Sequence, residues 1–430
     1  MVRAASVEDV RRLGCLVASV DGHTLALFAD GDGVRAVDNR CPHMGFPLHR
    51  GTLQDGILTC HWHHARFDLA TGGTFDQWAD DLASFPVEID GDDVLVDLAA
   101  RGDPLAHHRE RLRVGLERDL PLVLAKAAIA LVEGGDDALG PLRAGLEFGV
   151  RNRAGGWGQG LTILACVNNL LPAVDPDDRP RALYHGLAAV AVDSAGHPPR
   201  FPVDPLPGDE TDPATLTRWF RRFVEVRDAD GAERCIATAV RSGAQPHELA
   251  HMLFAAATDH RYIRTGHVLD FTNKALEALD AAAWEPAEPV LASLATEYAE
   301  ADRMEESNAW RHPVDVVATV EEAAAGLVAS LEPPRRQWDG HDALVETALA
   351  DDPAATASAI LGAWREGADV VEVAAAISEA AATRIARFHT SNEFGDWDRA
   401  LHTFTSRMRS SRACGAAPPP SWPAACWTRP

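Results

Sequence analysis

Two short segments constrain this chain of 430 residues more than any others: Cys41-Pro42-His43 and Cys60-His61-Trp62-His63. Each places a soft thiolate and an imidazole within one tight loop, and 16 residues separate them. The four donors can act together only if the fold sets the loops face to face. The surrounding sequence suits such a frame. Apolar stretches at residues 15–20, 24–28, 34–37, 57–59 and 94–96 read as short strands. The turns between them include Asp21-Gly22, Asp30-Gly31-Asp32-Gly33, Asp55-Gly56, Gly72-Gly73 and Asp90-Gly91. Short strands punctuated in this way predict an all-β sandwich or barrel over residues 1–100.

Two Cys and two His suit a structural zinc ion, or a [2Fe–2S] cluster with two Cys on one iron and two His on the other. Zinc fingers usually pair Cys with Cys and His with His at their short spacings. The mixed C-x-H and C-x-x-H halves favour the cluster, and here residues 1–100 resemble the Rieske domain family, of the soluble ferredoxin or oxygenase type. Gly45, Leu48, Gly51, Asp55-Gly56, Phe67-Asp68 and Thr71-Gly72 fall where that family has its glycines, its apolar cover and its F-D-x-x-x-G-like strand. Glycine belongs in such loops because a side chain would block backbone N–H groups from approaching the sulfides.

The resemblance implies that Cys41, His43, Cys60 and His63 hold the cluster and that its work is one-electron transfer. It also implies that the two imidazoles expose a ring edge for the electron and, through the outer N–H, for a proton. There are two departures. His61 and His64 stand where many relatives have Pro and Gly. Phe46 and Trp62 occupy the positions of the extra disulfide of respiratory Rieske proteins, so that bridge is impossible here. The soluble type implies a potential toward the low end of roughly −150 to +300 mV. Residues 1–100 hold seven Arg and 16 Asp or Glu, a balance of 7 − 16 = −9, which could steer a basic reductase or simply confer solubility.

Beyond residue 101, expected as a linker to residue 114, alanine and leucine become frequent and the spacing turns helical. Residues 122–132, 161–170, 183–192, 248–257, 268–279, 316–331 and 370–387 can each carry an apolar stripe. The expectation is a multidomain chain with an all-α domain over residues 115–409. Segments 151–165, 241–255 and 365–379 share a turn followed by an apolar helix, which would suit a stacked helical repeat. Residues 410–430, with Pro418-Pro419-Pro420, read as a disordered tail.

Charge narrows the partners. Basic and acidic residues give 40 − 64 = −24, which disfavours nucleic acid and anionic lipid. No apolar run approaches the ~20 residues that span a bilayer. The charged start lacks a signal-peptide core, and seven scattered Cys suit a reducing compartment, so the expected location is cytoplasmic.

The helical part is rich in histidine. A non-haem iron fed by the cluster would make chemical sense there, since helical bundles build such sites from inward His and carboxylates. The candidate set is His185, His260, His267, His389 and His402, with Asp270 or Glu393. The acid-x-x-His motif of ring-hydroxylating oxygenases is absent: Asp259-His260 and His267 have the wrong spacing. His247-Glu248-Leu249-Ala250-His251 reads as the H-E-x-x-H of zinc peptidases, though Phe254 and Ala257 break the extended metzincin pattern. Residues 197–201, His-Pro-Pro-Arg-Phe, could line a pocket or connect helices. Three functions follow. One is an oxygenase-like oxidoreductase acting on a small organic substrate, with a reductase or ferredoxin as redox partner. The second is an electron carrier with a helical docking scaffold, and the third a zinc peptidase-like domain.

Overall fold

The computed structural model describes residues 1–99, 104–136, 139–208, 212–328 and 337–413. They form two compact units, Met1–Ala138 and Leu139–Pro430.

The first unit holds every strand found among the described residues. These are β1 (Val2–Ser6), β2 (Cys15–Val20), β3 (His23–Asp30), β4 (Gly33–Asp38), β5 (Thr52–Gln54), β6 (Ile57–Thr59), β7 (Arg66–Asp68), β8 (Ser84–Phe85), β9 (Val87–Asp90) and β10 (Asp93–Val96). They pair as three small antiparallel sheets, β1-β10-β9, β2-β3-β4-β8 and β5-β6-β7. The run Leu25-Ala26-Leu27-Phe28 in β3 is buried throughout because successive side chains enter different cores. Leu25 and Leu27 join Val10, Val94 and Val96, whereas Ala26 and Phe28 join Cys41, Leu48, Leu58, Cys60 and Phe67. The second core lies directly beneath the two Cys/His loops.

Helix α1 (Val7–Leu13) starts at Ser6, whose hydroxyl accepts from the Asp9 N–H at 3.1 Å. Two more helices complete this unit, α2 (Pro104–Arg118) and α3 (Pro121–Glu133). The expected linker up to residue 114 is therefore mostly helix. Its Leu112, together with Leu116 one turn later, is buried, and a Cβ on Gly115 would lie 2.8 Å from Leu124, so glycine permits the close α2–α3 contact. The compact unit accordingly runs past residue 100.

The second unit is helical, as its sequence texture implies. Its elements are α4 (Gly140–Arg151), α5 (Gln159–Leu170), α6 (Arg179–Ser194), α7 (Pro213–Glu225), α8 (Ala229–Arg241), α9 (Pro246–Asp259), α10 (His267–Ala281), α11 (Ala287–Ala292), α12 (Ala295–Ala299), α13 (Val316–Val328), α14 (His341–Leu349), α15 (Pro353–Glu366), α16 (Val370–Arg387) and α17 (Phe394–Ala413). Asp212, Asp228, Asp352 and Asp369 start α7, α8, α15 and α16 by accepting a backbone N–H from the first turn. Along α7 the buried face is Leu216, Phe220 and Val224, the four-residue spacing of one helix side. Tyr298 is fully buried; its hydroxyl donates to the Leu253 carbonyl at 3.0 Å and lies 2.8 Å from Thr272 Oγ1.

The three repeat-like segments each enter a helix, α5, α9 and α16. Their packing is not that of a solenoid, in which each repeat touches only its neighbours. Helix α10 packs on α5 and α17, and α4 packs on α11, contacts between elements remote in sequence. Helix α17 continues to Ala413, into the expected tail, and residues 414–430 of that tail lie outside the described residues. Among the described residues no helix is long and apolar enough to cross a membrane.

Candidate metal centre

The two Cys/His loops are near copies of each other. In the first, the Cys41 N–H donates to the Phe46 carbonyl at 2.8 Å, and the Gly45 N–H donates back to the Cys41 carbonyl at 2.7 Å. In the second, the Cys60 N–H donates to the Ala65 carbonyl at 2.9 Å, and the His64 N–H to the Cys60 carbonyl at 3.0 Å. Both need a left-handed residue in the fourth place after Cys. Gly45 supplies φ +80° freely, whereas His64 adopts φ +64° at a cost of about 1–2 kcal/mol. The His in place of the family glycine thus sits in a conformation that favours glycine.

Strands β4 and β6 lead into these loops and fix the two thiols in the core. Cys41 and Cys60 are buried, and their side chains lie within hydrogen-bonding reach of each other. Burial pushes the Cys41 thiol up to about 11; the backbone N–H groups of His43 and Met44, aimed at its sulfur, oppose that rise, and Cys60 adds to it. The imidazoles of His43 and His63 meet edge to face, 4.7 Å apart between centroids. Burial lowers the His43 pKa, as do His63 and Lys126.

His43 Nδ1 is buried and has no hydrogen-bond partner. A buried ring nitrogen without a partner costs free energy unless something else ligates it. Beside two buried thiols, an iron atom is a chemically fitting occupant. The donor set therefore fits a [2Fe–2S] cluster held by Cys41, Cys60, His43 and His63, which would supply a reversible one-electron centre.

The two imidazoles have unlike surroundings. His63 is exposed, with Trp62 at 5.1 Å. His43 is covered by Trp78, 4.7 Å away and edge-on. Phe46 and Trp62 lie 5.9 Å apart, so an aromatic pair spans the loops where respiratory relatives would have a disulfide. Exchanging His63 for Cys should move the visible and EPR spectra toward those of an all-thiolate cluster, or abolish them; unaltered spectra would remove His63 from the ligand set.

Sequence reasoning missed a brace behind His43. Arg111 of α2 donates to Asp80 Oδ1 at 2.6 Å and to the Gln77 and Ala79 carbonyls at 3.0 Å. Lys126 of α3 donates to the Pro42 and His43 carbonyls, the latter at 2.5 Å. The available signal was that Lys126 and Lys274 are the chain's two lysines, all other cations being Arg.

In the helical unit the five candidate histidines do not converge. His185 is exposed on α6 beside Tyr184. His260 is buried and bonds Glu305 through Nδ1 at 2.8 Å. His389 is exposed and contacts Ser391 at 2.7 Å. Only His267 and His402 meet, with their Nε2 atoms 2.9 Å apart. His402 Nδ1 lies 2.7 Å from the Asp398 carbonyl, and His267 Nδ1 is buried without a partner. Burial lowers the His267 pKa, His402 lowers it further, and Asp270 opposes the shift. Glu393 is exposed. The site expected from all five histidines is thus reduced to one pair.

The H-E-x-x-H match has a local explanation. Pro246 begins α9, and Glu248 accepts the Gln245 N–H at 2.7 Å in a capping box. His247 and His251 are exposed. The carboxylate that a peptidase would use as a base is engaged in starting a helix. In the Pro-rich loop, Arg200 is ion-paired in the interior with Glu233 of α8, and Phe201 is 83% exposed, the arrangement of a connector.

Comparison with known proteins places the first residues in a family. The Rieske [2Fe–2S] domain family model matches residues 1–86, and the helical region has no family match. The ferredoxin subunit of 3-phenylpropionate/cinnamic acid dioxygenase from Shigella flexneri is 36% identical over 76 residues, which are 17% of this chain and 72% of that protein. Apoptosis-inducing factor 3 of Homo sapiens is 38% identical over 71 residues, which cover 16% of this chain but span only 12% of that protein's length. Among solved structures, the ferredoxin of carbazole 1,9a-dioxygenase from Nocardioides aromaticivorans is 28% identical, with a TM-score of 0.21, covering 22% of this chain and 94% of that one. Through its first 86 residues, this chain belongs to the Rieske [2Fe–2S] domain family.

Proposed function

We propose that the chain is an oxidoreductase component that relays single electrons through a cluster on Cys41, His43, Cys60 and His63. The observation that carries this reading is the buried, unpartnered His43 Nδ1 beside two buried thiols on twin loops. The exposed His63 edge is the route of exchange, because Trp78 covers the other imidazole. The redox partner is a reductase or ferredoxin of basic surface, drawn by the acidic balance of the first 100 residues. Ferredoxin components of dioxygenase systems are among the relatives that match the first part of the chain, which supports a carrier role. Anaerobic titration should take up one electron per chain and bleach the visible bands; uptake of none would contradict the relay.

A second reading is favoured by the His267–His402 pair. With one ring held by a backbone carbonyl and the other ending in a buried unpartnered nitrogen, this pair could contribute to a non-haem iron that acts on a small organic substrate. Protein purified without air would then hold more than two irons per chain but two sulfides. The His267→Ala and His402→Ala variants should each lose the surplus iron and keep the sulfide. Two irons in both wild type and variants would leave the carrier role alone.

A further inference from the structure

Lys126 projects from α3 to the loop that carries two of the four cluster donors. Its ammonium donates to the carbonyls of Pro42 and His43, those of the two peptide units that flank the His43 Cα. The nearest carboxylate, Asp80, lies 4.0 Å from Lys126 but is bound at 2.6 Å by Arg111. One carboxylate thus faces two cations, leaving an excess of one positive charge. The Lys126 side chain is 32% exposed and that of Arg111 12%, so water screens this charge only in part.

We propose that Lys126 is a positioning residue that sets the reduction potential of the centre, holding it higher than the same ligand set would have alone. This inference rests on the cluster reading above. Reduction adds one electron from a one-electron donor and one negative charge to the site, with no bond made or broken. A fixed cation beside the His43 loop lowers the free energy of that added charge. Its hydrogen bonds also hold the Pro42–His43 peptide in one orientation.

The test is a dye-equilibrated redox titration of the full chain at one fixed pH, with sulfide measured on the same samples. Lys126→Gln, which can still donate to a carbonyl but is uncharged, should reduce about tenfold less favourably, a fall of about 59 mV for one electron. Lys126→Arg, which keeps the charge, should stay close to wild type. An intact two-sulfide cluster whose potential is the same in Lys126→Gln and wild type overturns the inference. Absence of sulfide from wild type would instead overturn the cluster reading itself. Where Lys126→Gln fails to retain the cluster, Asp80→Asn decides: losing the carboxylate that offsets Lys126 should raise the potential, and an unchanged or lower value overturns the inference.

Discussion

Cys60→Ala should yield a chain with no acid-labile sulfide and no visible absorption from a cluster, while far-UV circular dichroism still reports its helices. Cys60 is 1% exposed and packs in one core with Leu48, Leu58 and Phe67. Removing its sulfur has two effects of unequal size. The vacated volume is small and costs about 1–2 kcal/mol, as other single-atom truncations in a core do. Loss of a ligand is far larger, because metal-binding free energy is also folding free energy for the loops that provide the donors. Three remaining donors leave one iron with a missing thiolate. Sulfide assay and absorption spectra on the same preparation check this. Retention of two sulfides by Cys60→Ala would mean that Cys60 is not a ligand.

Gly156→Ala should destabilise the helical unit by on the order of 3–4 kcal/mol. Gly156 has φ +78°, and a Cβ there would stand 1.9 Å from the Ser293 carbonyl oxygen. That same oxygen accepts the Trp157 N–H at 2.8 Å. The clash therefore falls on a backbone hydrogen bond that seats the fully buried Trp157, whose indole N–H donates to Thr162 Oγ1 at 2.9 Å. The turn cannot retreat without lifting Trp157 from the core. Gly243→Ala is the control: φ is +79°, but nothing lies within 4 Å of the added atom. Only backbone strain remains, at about 1–2 kcal/mol. Urea unfolding followed by circular dichroism separates the two. Equal losses for both would mean that the Ser293 contact does not hold this turn.

Legibility followed the range of the interactions. The thiol–imidazole loops could be read because their donors lie two and three residues apart and chemistry restricts what such a spacing can bind. Strands β2 and β6 stood out as apolar runs between Asp-Gly or Gly turns. Strands β1, β8 and β9 did not, because they are short and gain their order from partners far along the chain; Val2, for example, pairs with Val96. Helix α2 was hidden by its charge: Arg109, Arg111 and Arg113 mask the stripe of Leu112 and Leu116, which becomes apolar surface only against α3. The brace behind His43 joins Lys126 to His43, 83 residues away, and Arg111 to residues 31 to 34 away, and the His267–His402 pair joins residues 135 apart. No local spacing encodes either. The H-E-x-x-H match shows the opposite error. Its spacing was correct for a helix face, yet Pro246 and the capping box give Glu248 and its neighbours an ordinary structural reason to be there.

The asymmetry between the two imidazoles links this fold to its chemistry. Trp78 packs edge-on against the partly buried His43, whose carbonyl Lys126 holds, while His63 is exposed. Were the cluster bound, its charge would lie beside the Lys126 cation, and the exposed His63 would offer the edge for exchange. Both depend on a mixed thiolate–imidazole cluster being present.

The most direct measurement is iron, zinc and acid-labile sulfide analysis of the full chain prepared without air, with the EPR spectrum of the reduced sample. Two sulfides and at least two irons per chain are expected, with an EPR signal of mixed Cys and His ligation. One zinc per chain without sulfide, or a spectrum of all-thiolate ligation, would contradict that expectation.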